Sequence, residues 1–190
     1  MSNFETIMLF GIGINKFKVT NWAEKKPKLL ELINLSENDV AECQSDYFKY
    51  QARPPYLQEF GNILQDDFDN LVNTFTELLY ERYQGQIPLK NLETWQLWAQ
   101  RYTLGHYHGS HNHGMMNISC VLYVDFDVNE HKPTKFYSPF MNPYYGTIDV
   151  AVPSVEEGSI LAFPSTLLHE CPPSQSKIPR TIMSFNIPMR

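Results

Sequence analysis

The chain has 190 residues, of which 43% are hydrophobic and 14% aromatic, and its formal net charge at pH 7 is −6. This hydrophobic content excludes a disordered chain, and the length predicts one domain with a core of its own. The negative charge argues against general nucleic-acid binding, because such binding depends on clustered lysine and arginine side chains that contact phosphates.

The cysteines and the N-terminal segment predict a cytoplasmic protein. Cys43, Cys120 and Cys171 show no CxxC spacing, and their odd number is typical of free thiols in a reducing compartment. The apolar run Ile7–Ile14 contains two glycines and follows an acidic residue. It is therefore predicted to be neither a signal peptide nor a membrane span.

The first 90 residues are predicted to form a helical covering layer. A strand is expected at Met8–Val19, a short helix at Trp22–Ile33, and a loop with at most one strand at Asn34–Pro55. A longer helix follows and is expected to stop at Gly85, because glycine commonly ends helices. Its apolar residues recur at steps of three and four, which places them on one helix face. They are Leu57, Phe60, Leu64, Phe68, Leu71, Phe75, Leu78 and Leu79.

From residue 91 onward the sequence predicts β-strands. Short apolar segments separated by glycine and proline turns, without helical periodicity, are typical of a sandwich or jelly roll. The expected fold is therefore α+β, mainly β, with a double-stranded β-helix at residues 91–190 inside a single domain of residues 1–190. The expected strands are Leu92–Thr103, Ile118–Asp127, Lys135–Tyr137, Gly146–Val152, Ser159–Phe163 and Thr181–Ile187.

A cluster of histidines precedes the second of these strands. Side chains two positions apart on an extended segment point to the same side, so His111 and His113 can bind one metal ion. A neighbouring strand could supply His169 as a third ligand, which would give a facial site with open positions of the kind non-haem iron uses. Four of the six histidines lie within eight positions, and they are His106, His108, His111 and His113.

Part of this pattern resembles the cupins, a family of double-stranded β-helix proteins. The segment Gly105–His113 fits the first cupin motif, Gly-x5-His-x-His, but Gly114–Ile118 lacks the glutamate that should follow. The second cupin motif is met in part, with Thr166 and Pro173 where the family has glycine and asparagine.

The C-terminal half resembles more fully the iron(II)- and 2-oxoglutarate-dependent oxygenases, in particular a bacterial and phage group. The resemblance covers roughly Glu93–Arg190 and consists of short motifs in a fixed order. These are two tryptophans (Trp95, Trp98), His-x-His (His111, His113), Ser-x-x-x-Tyr (Ser119, Tyr123), Glu-Gly (Glu157, Gly158), Phe-Pro-Ser with a later histidine (Phe163, Pro164, Ser165, His169), and Arg-x-x-x-Ser-Phe-Asn (Arg180, Ser184, Phe185, Asn186).

This resemblance implies a site for Fe(II) and 2-oxoglutarate. His111, His113 and His169 would be the metal ligands. Arg180 would form a two-pronged ion pair with the distal carboxylate of 2-oxoglutarate, for which the planar guanidinium is suited. Ser184 would donate a further hydrogen bond to that carboxylate.

The resemblance also implies the reaction and its partners. Dioxygen and 2-oxoglutarate would be consumed, and a C–H bond of a second substrate, a small molecule or a protein side chain, would be hydroxylated. Related prolyl hydroxylases often have a co-substrate-binding tyrosine where this chain has His108, and Tyr102 or Tyr123 would substitute for it. A homodimer is one expected form of assembly.

One departure from the family concerns the metal. Most members use His-x-Asp or His-x-Glu, whereas position 113 is histidine here. Three neutral imidazoles also suit copper, nickel or zinc, so the purified protein is expected to be able to bind one of these metals in place of iron.

Two other functions remain open at this point. The first is a cupin-type metal enzyme that needs no 2-oxoglutarate, and the second is a non-catalytic β-roll that binds a partner. His131 is expected in a solvated loop, and the aromatic segment Tyr137–Gly146 is expected to be either a substrate lid or a packed loop.

Overall fold

The computed structural model of the chain describes residues 11–39, 41–44, 47–51, 54–83, 96–115 and 117–189. Two helices and eleven strands lie within these ranges. In chain order they are β1 (Asn15–Lys18), α1 (Trp22–Asp39), β2 (Ala41–Gln44), β3 (Tyr47–Gln51), α2 (Pro54–Tyr83), β4 (Gln96–Tyr102), β5 (His108–His111), β6 (Asn117–Asp125), β7 (Lys135–Met141), β8 (Ile148–Ala151), β9 (Ser159–Pro164), β10 (His169–Cys171) and β11 (Arg180–Pro188).

The strands form two antiparallel sheets. The larger has seven strands in the order β1-β9-β6-β11-β4-β3-β2, and the smaller has four in the order β5-β10-β7-β8. Aromatic side chains join them, since Phe136 of the small sheet meets Phe163 of the large sheet with ring centroids 4.9 Å apart. The predicted jelly roll with covering helices is confirmed.

Alternation along β4, β6, β9 and β11 of the large sheet separates two cores. On β11, Met183 and Phe185 face the helices, whereas Ile182 faces the space between the sheets. On β6, Leu122 faces the helices and Val121 faces the inside. Because successive side chains point to opposite faces, every second residue of these strands is available to line an internal site.

The apolar face predicted for the long helix is the one that packs on the sheet. Phe60, Leu64, Phe68 and Leu71 are buried, and the ring of Phe68 lies 5.1 Å from that of Phe185 on β11. Each such side chain contributes about 1.5–3 kcal/mol when fully buried. The expected stop at Gly85, the strand residue Trp95 and the boundary near residue 90 lie outside the described residues.

The prediction of a loop with at most one strand at Asn34–Pro55 is wrong. Helix α1 continues to Asp39, and two strands follow, of which β3 extends the large sheet by pairing Tyr50 with Ala99 on β4. The mixture of polar and aromatic residues in this segment hid the strands, because an edge strand is held by backbone pairing rather than by a continuous apolar face. The predicted helical layer thus also supplies strands to the sheet.

The aromatic segment at the end of the small sheet is exposed. Residues 137–146 form the end of β7 and the turn into β8, and Tyr144 and Tyr145 are 89% and 80% exposed. This exposure contradicts the packed loop, which was one of the two alternatives predicted for the segment.

Neither α1 nor α2 is long and apolar enough to cross a membrane.

The turn before β9 depends on a glycine. Gly158 has a φ of +77°, and a Cβ there would lie 2.9 Å from the indole ring of Trp22, whose Nε1 donates to Glu157 Oε1 at 3.0 Å. A left-handed conformation costs a residue with a side chain about 1–2 kcal/mol, and displacement of a packed indole adds to that.

Gly158→Ala should therefore lower the free energy of unfolding by about 2–4 kcal/mol, read from urea denaturation. Gly13→Ala is the control, because a Cβ at that position would have no neighbouring atom within 4 Å and no positive φ is involved. Equal stability of the two variants would contradict the role given to this turn.

Candidate active site

Strand β11 lines the cavity between the two sheets with every second residue. Arg180, Ile182, Ser184 and Asn186 all border the same cavity. The neighbouring strand β4 supplies Tyr102, Gln100 and Trp98, which pair in register with Arg180, Ile182 and Ser184.

Three histidines converge on this cavity. His111 on β5 and His169 on β10 are directly opposite each other in the pairing of these strands. His113 follows β5, and its backbone N–H donates to the carbonyl of Ser165 at 2.8 Å. One nitrogen from each ring lies within 4.8 Å of the others, which is close enough for a single metal ion.

Hydrogen bonds to the backbone fix the tautomer of two of these rings. Nδ1 of His169 lies 2.9 Å from the carbonyl of Leu167, and Nδ1 of His111 lies 2.7 Å from that of Gly109. A carbonyl oxygen only accepts, so both Nδ1 atoms carry the proton and both Nε2 atoms keep a lone pair. Metal-bound histidines are typically oriented by such a bond from the other ring nitrogen.

His169 is the most deeply placed of the three. It is 4% exposed, and desolvation, together with the neighbouring His111 and His113, lowers its pKa from 6.5 to about 4. The neutral form needed by a metal ligand is therefore the form present at physiological pH.

The metal-free protein should lose stability as the pH falls from about 6.5 to about 4. Above this window His169 is neutral in both the folded and the unfolded chain and contributes nothing. Within it the unfolded chain takes up a proton that the folded protein does not, and the pKa values of 6.5 and about 4 correspond to about 3 kcal/mol. Denaturation with a chelator present should show a weaker pH dependence in His169→Gln than in the wild type, and equal dependence would contradict this account.

A chain of polar contacts links the candidate metal ligands to the large sheet. The ring of His108 stacks on that of His111 with centroids 3.8 Å apart. Gln100 Nε2 lies 3.2 Å from Nδ1 of His108, and Gln100 Oε1 accepts a hydrogen bond from Ser184 Oγ at 3.2 Å. The ring of His108 thus contacts the candidate ligand His111, and Ser184 is linked to His108 through the side-chain amide of Gln100.

Arg180 lies at the other end of the cavity and is 3% exposed. Its Nη1 donates to the carbonyl of Lys132 and contacts Sγ of Cys171, both at 2.9 Å. Burial raises the pKa of the Cys171 thiol, so a neutral thiol faces the guanidinium. Nε and Nη2 are buried and have no hydrogen-bond partner among the described residues.

This guanidinium is therefore a buried cation with donors to spare. Aromatic rings surround it, since its Cζ lies 5.3 Å from the ring of Tyr102 and 5.5 Å from that of Tyr123. A buried charge without a partner is costly, and a carboxylate can take two parallel hydrogen bonds from a guanidinium. The arrangement suits an anion that enters the cavity.

Of the two tyrosines considered as co-substrate contacts, Tyr102 borders the cavity. The hydroxyl of Tyr123 donates to Thr134 Oγ1 at 2.8 Å and accepts from the backbone N–H of Thr134 at 3.0 Å. Tyr123 therefore presents its ring to Arg180, while Thr134 itself borders the cavity. Nothing in the sequence pattern had singled out Thr134.

Comparison with known proteins finds a family model that matches the part of the chain that carries the site. Residues 96–186 match the family described as "Putative 2OG-Fe(II) oxygenase". This range contains all the strands from β4 to β10 and most of β11, including the three histidines and Arg180. This stretch of the chain is similar to a 2-oxoglutarate/Fe(II) oxygenase.

Solved structures share the fold of this chain. A prolyl-4-hydroxylase from Pseudomonas putida is 13% identical, with 94% of each chain covered and a TM-score of 0.59. A prolyl hydroxylase from Trichoplax adhaerens is 12% identical, with 93% of this chain and 84% of that chain covered and a TM-score of 0.67. A viral collagen prolyl hydroxylase from Paramecium bursaria Chlorella virus-1 is 13% identical, with 93% and 96% covered and a TM-score of 0.60. A search of the curated proteins by sequence found no match.

The expected cofactor Fe(II) and co-substrate 2-oxoglutarate are those of the matched family. The residues present fit both groups. Three imidazoles, two of them with Nε2 lone pairs fixed by backbone bonds, form a donor set for a divalent metal. The unpartnered nitrogens of Arg180 fit a carboxylate. The family match therefore favours the oxygenase over the cupin.

His131 is a residue that sequence reasoning misjudged. It is 7% exposed, not solvated. Its Nδ1 accepts from the backbone N–H of Asp127 at 3.0 Å, and its Nε2 donates to the carbonyl of Ile178 at 3.0 Å. The first bond closes the 127–132 turn, and the second ties this turn to the segment before β11. The next residue, Lys132, supplies the carbonyl that holds Arg180, so His131 is a positioning residue for that guanidinium.

His131→Leu should raise the Kd for 2-oxoglutarate by at most about 30-fold, because the two hydrogen bonds lost behind Arg180 are worth about 1 kcal/mol each. Iron affinity should not change, since no metal-site residue is touched. His131→Asn keeps one donor and one acceptor and should restore part of the affinity. Isothermal titration with 2-oxoglutarate measures both variants, and a normal Kd in His131→Leu would remove the positioning role.

Proposed function

We propose that this oxygenase binds Fe(II) through His111, His113 and His169, binds 2-oxoglutarate through Arg180, and hydroxylates a C–H bond of a second substrate. The observation that carries the proposal is the buried guanidinium with two unpartnered nitrogens in the same cavity as the three histidines. The viral relative was solved as a 2OG complex, which supports the choice of anion.

Each residue has a separate task in this proposal. The imidazoles leave part of the metal's coordination sphere open, because three protein ligands occupy one face. Arg180 fixes the orientation of the co-substrate through two parallel hydrogen bonds. Ser184 and Thr134 border the same cavity. The aromatic rings around Arg180 exclude water, which strengthens the ion pair.

Fe(II) and 2-oxoglutarate, when bound, supply the chemistry by which dioxygen converts 2-oxoglutarate and a C–H bond into succinate, carbon dioxide and a C–OH group. The chain's contribution is to hold the reactants in place in a dry cavity. A cytoplasmic location and a homodimer stay predictions.

The test is an anaerobic titration of Fe(II)-loaded protein with 2-oxoglutarate, followed through the visible metal-to-ligand charge-transfer band. We expect a saturable band with 2-oxoglutarate and none with succinate, which lacks the 2-oxo group that binds the metal. Confirmed iron loading without a band would overturn the proposal and favour a β-roll that binds a metal for another purpose.

A further inference from the structure

The residues of β11 that border the cavity run from Arg180 to Asn186. The ring of His113 lies 5.5 Å from that of Trp98, and Trp98 pairs in register with Ser184. Asn186 lies two residues further along β11 and also borders the cavity. The spacing of a strand, about 3.3 Å per residue, places Asn186 roughly 20 Å along the strand from Arg180. With the co-substrate held by Arg180, as proposed, the second substrate is expected toward Asn186.

This far end is built from neutral hydrogen-bonding groups. Ser119 Oγ donates to Asn186 Oδ1 at 2.7 Å, and Asn186 Nδ2 donates to Gln96 Oε1 at 3.2 Å. Ser119 and Asn186 are 2% and 4% exposed. An amide nitrogen carries two N–H donors, and Gln96 takes only one of them. Asn186 therefore keeps a buried donor for a ligand that offers an acceptor.

Charge is missing from this part of the cavity. Among the described residues that border it, only Arg180 and Glu170 carry a formal charge, and Glu170 is paired with Lys135 at 2.9 Å. A free carboxylate or ammonium placed beside Asn186 would be buried without a partner, which is costly. A carboxamide loses much less on burial and pairs well with another amide.

We propose that Asn186 and Ser119 form the subsite that recognises the second substrate, and that this substrate presents an uncharged carboxamide next to the C–H bond that is oxidised. A peptide-bonded or otherwise blocked residue fits this description, whereas a free amino acid does not. The proposal rests on the proposed function, because it assumes oxidation at the three histidines.

The experiment uses the Fe(II)-loaded protein with 2-oxoglutarate and ¹⁸O₂. The probes are matched pairs, each an N-acetyl amino-acid amide and the free amino acid with the same side chain. Mass spectrometry then counts ¹⁸O in the products. We expect labelled products from the blocked amides and at least 10-fold less from the free amino acids.

Variants connect this selectivity to the subsite. Asn186→Leu has a similar volume and no donors, and it should lower kcat/KM for the blocked amides by about 10- to 100-fold and reduce the preference between the members of a pair. Ser119→Ala is the second variant, to be used if Asn186→Leu does not fold, and it should act in the same direction with a smaller effect. The charge-transfer band is recorded for every variant as a measure of iron and 2-oxoglutarate binding.

Three results would overturn the subsite while leaving the proposed function in place, provided that the band is present. They are equal or greater labelling of the free amino acids, an unchanged preference in Asn186→Leu and Ser119→Ala, and no labelled product from any blocked amide. Absence of the band would instead count against the proposed function, so the two failures are distinguishable.

Discussion

Replacing His169 with alanine is expected to lower the affinity for Fe(II) by more than about 100-fold. His169 is one of only three candidate protein ligands among the described residues, and its Nε2 lone pair is fixed by the bond from Nδ1 to Leu167. Changes to groups that merely support a ligand typically cost 10–100-fold in metal affinity, so loss of the ligand itself should cost more. Iron content after anaerobic loading and desalting measures the effect.

His106→Ala is the matched control for this variant. His106 belongs to the same histidine cluster of the sequence, but it lies outside the group of three and does not border the cavity. It should therefore retain iron. If His169→Ala retains iron as well as His106→Ala does, the metal is held elsewhere and the site assignment fails.

Replacing Arg180 is expected to abolish 2-oxoglutarate binding and to leave iron in place. Hydrogen bonds to charged groups are worth about 1.5–3 kcal/mol each, so losing two of them in Arg180→Ala should raise the Kd by more than about 100-fold. Arg180→Lys keeps the charge but cannot form the two-pronged contact, so it should recover only part of the affinity. The charge-transfer band and isothermal titration both measure this.

Replacing Arg180 with an apolar side chain should not destabilise the ligand-free protein, in contrast to its effect on 2-oxoglutarate binding. Without a ligand, Arg180 is a buried cation with two nitrogens that have no partner among the described residues. Arg180→Met has a similar volume and no charge, and replacing a buried ion by an apolar side chain is often neutral or stabilising. We therefore expect the ligand-free Arg180→Met variant to unfold at the same or a higher denaturant concentration than the wild type. Marked destabilisation with normal 2-oxoglutarate binding would show that Arg180 is structural.

The grouping of the histidines could be predicted from local geometry, whereas the roles of Arg180 and Ser184 were implied only by the resemblance to the oxygenases. Two histidines two positions apart must share a side of an extended segment, and the sheet then brings His169 opposite His111. The long helix was equally predictable, because its apolar period is set by the helix itself.

Other features depend on partners that are distant in sequence. The bounds of strands β5 and β10 were not predicted, although an extended segment at His111 and a neighbouring strand at His169 were expected. His-Gly-Ser-His and His-Glu-Cys carry little strand propensity and are held by pairing with each other. His131 resembles a solvated loop residue, with charged neighbours on both sides, and only the fold reveals Ile178 as its partner. The role of Thr134 likewise depends on Tyr123, eleven positions away.

The pairing of β5 with β10 has a consequence for the motions of the small sheet. These strands have only four and three residues, and they contribute one candidate ligand each, directly opposite one another. A divalent ion bound by both histidines would cross-link these two short neighbouring strands. A ligand that binds the folded form, and not locally opened forms, lowers the population of the opened forms. Occupancy of the metal site would therefore raise the hydrogen-exchange protection of β5 and β10.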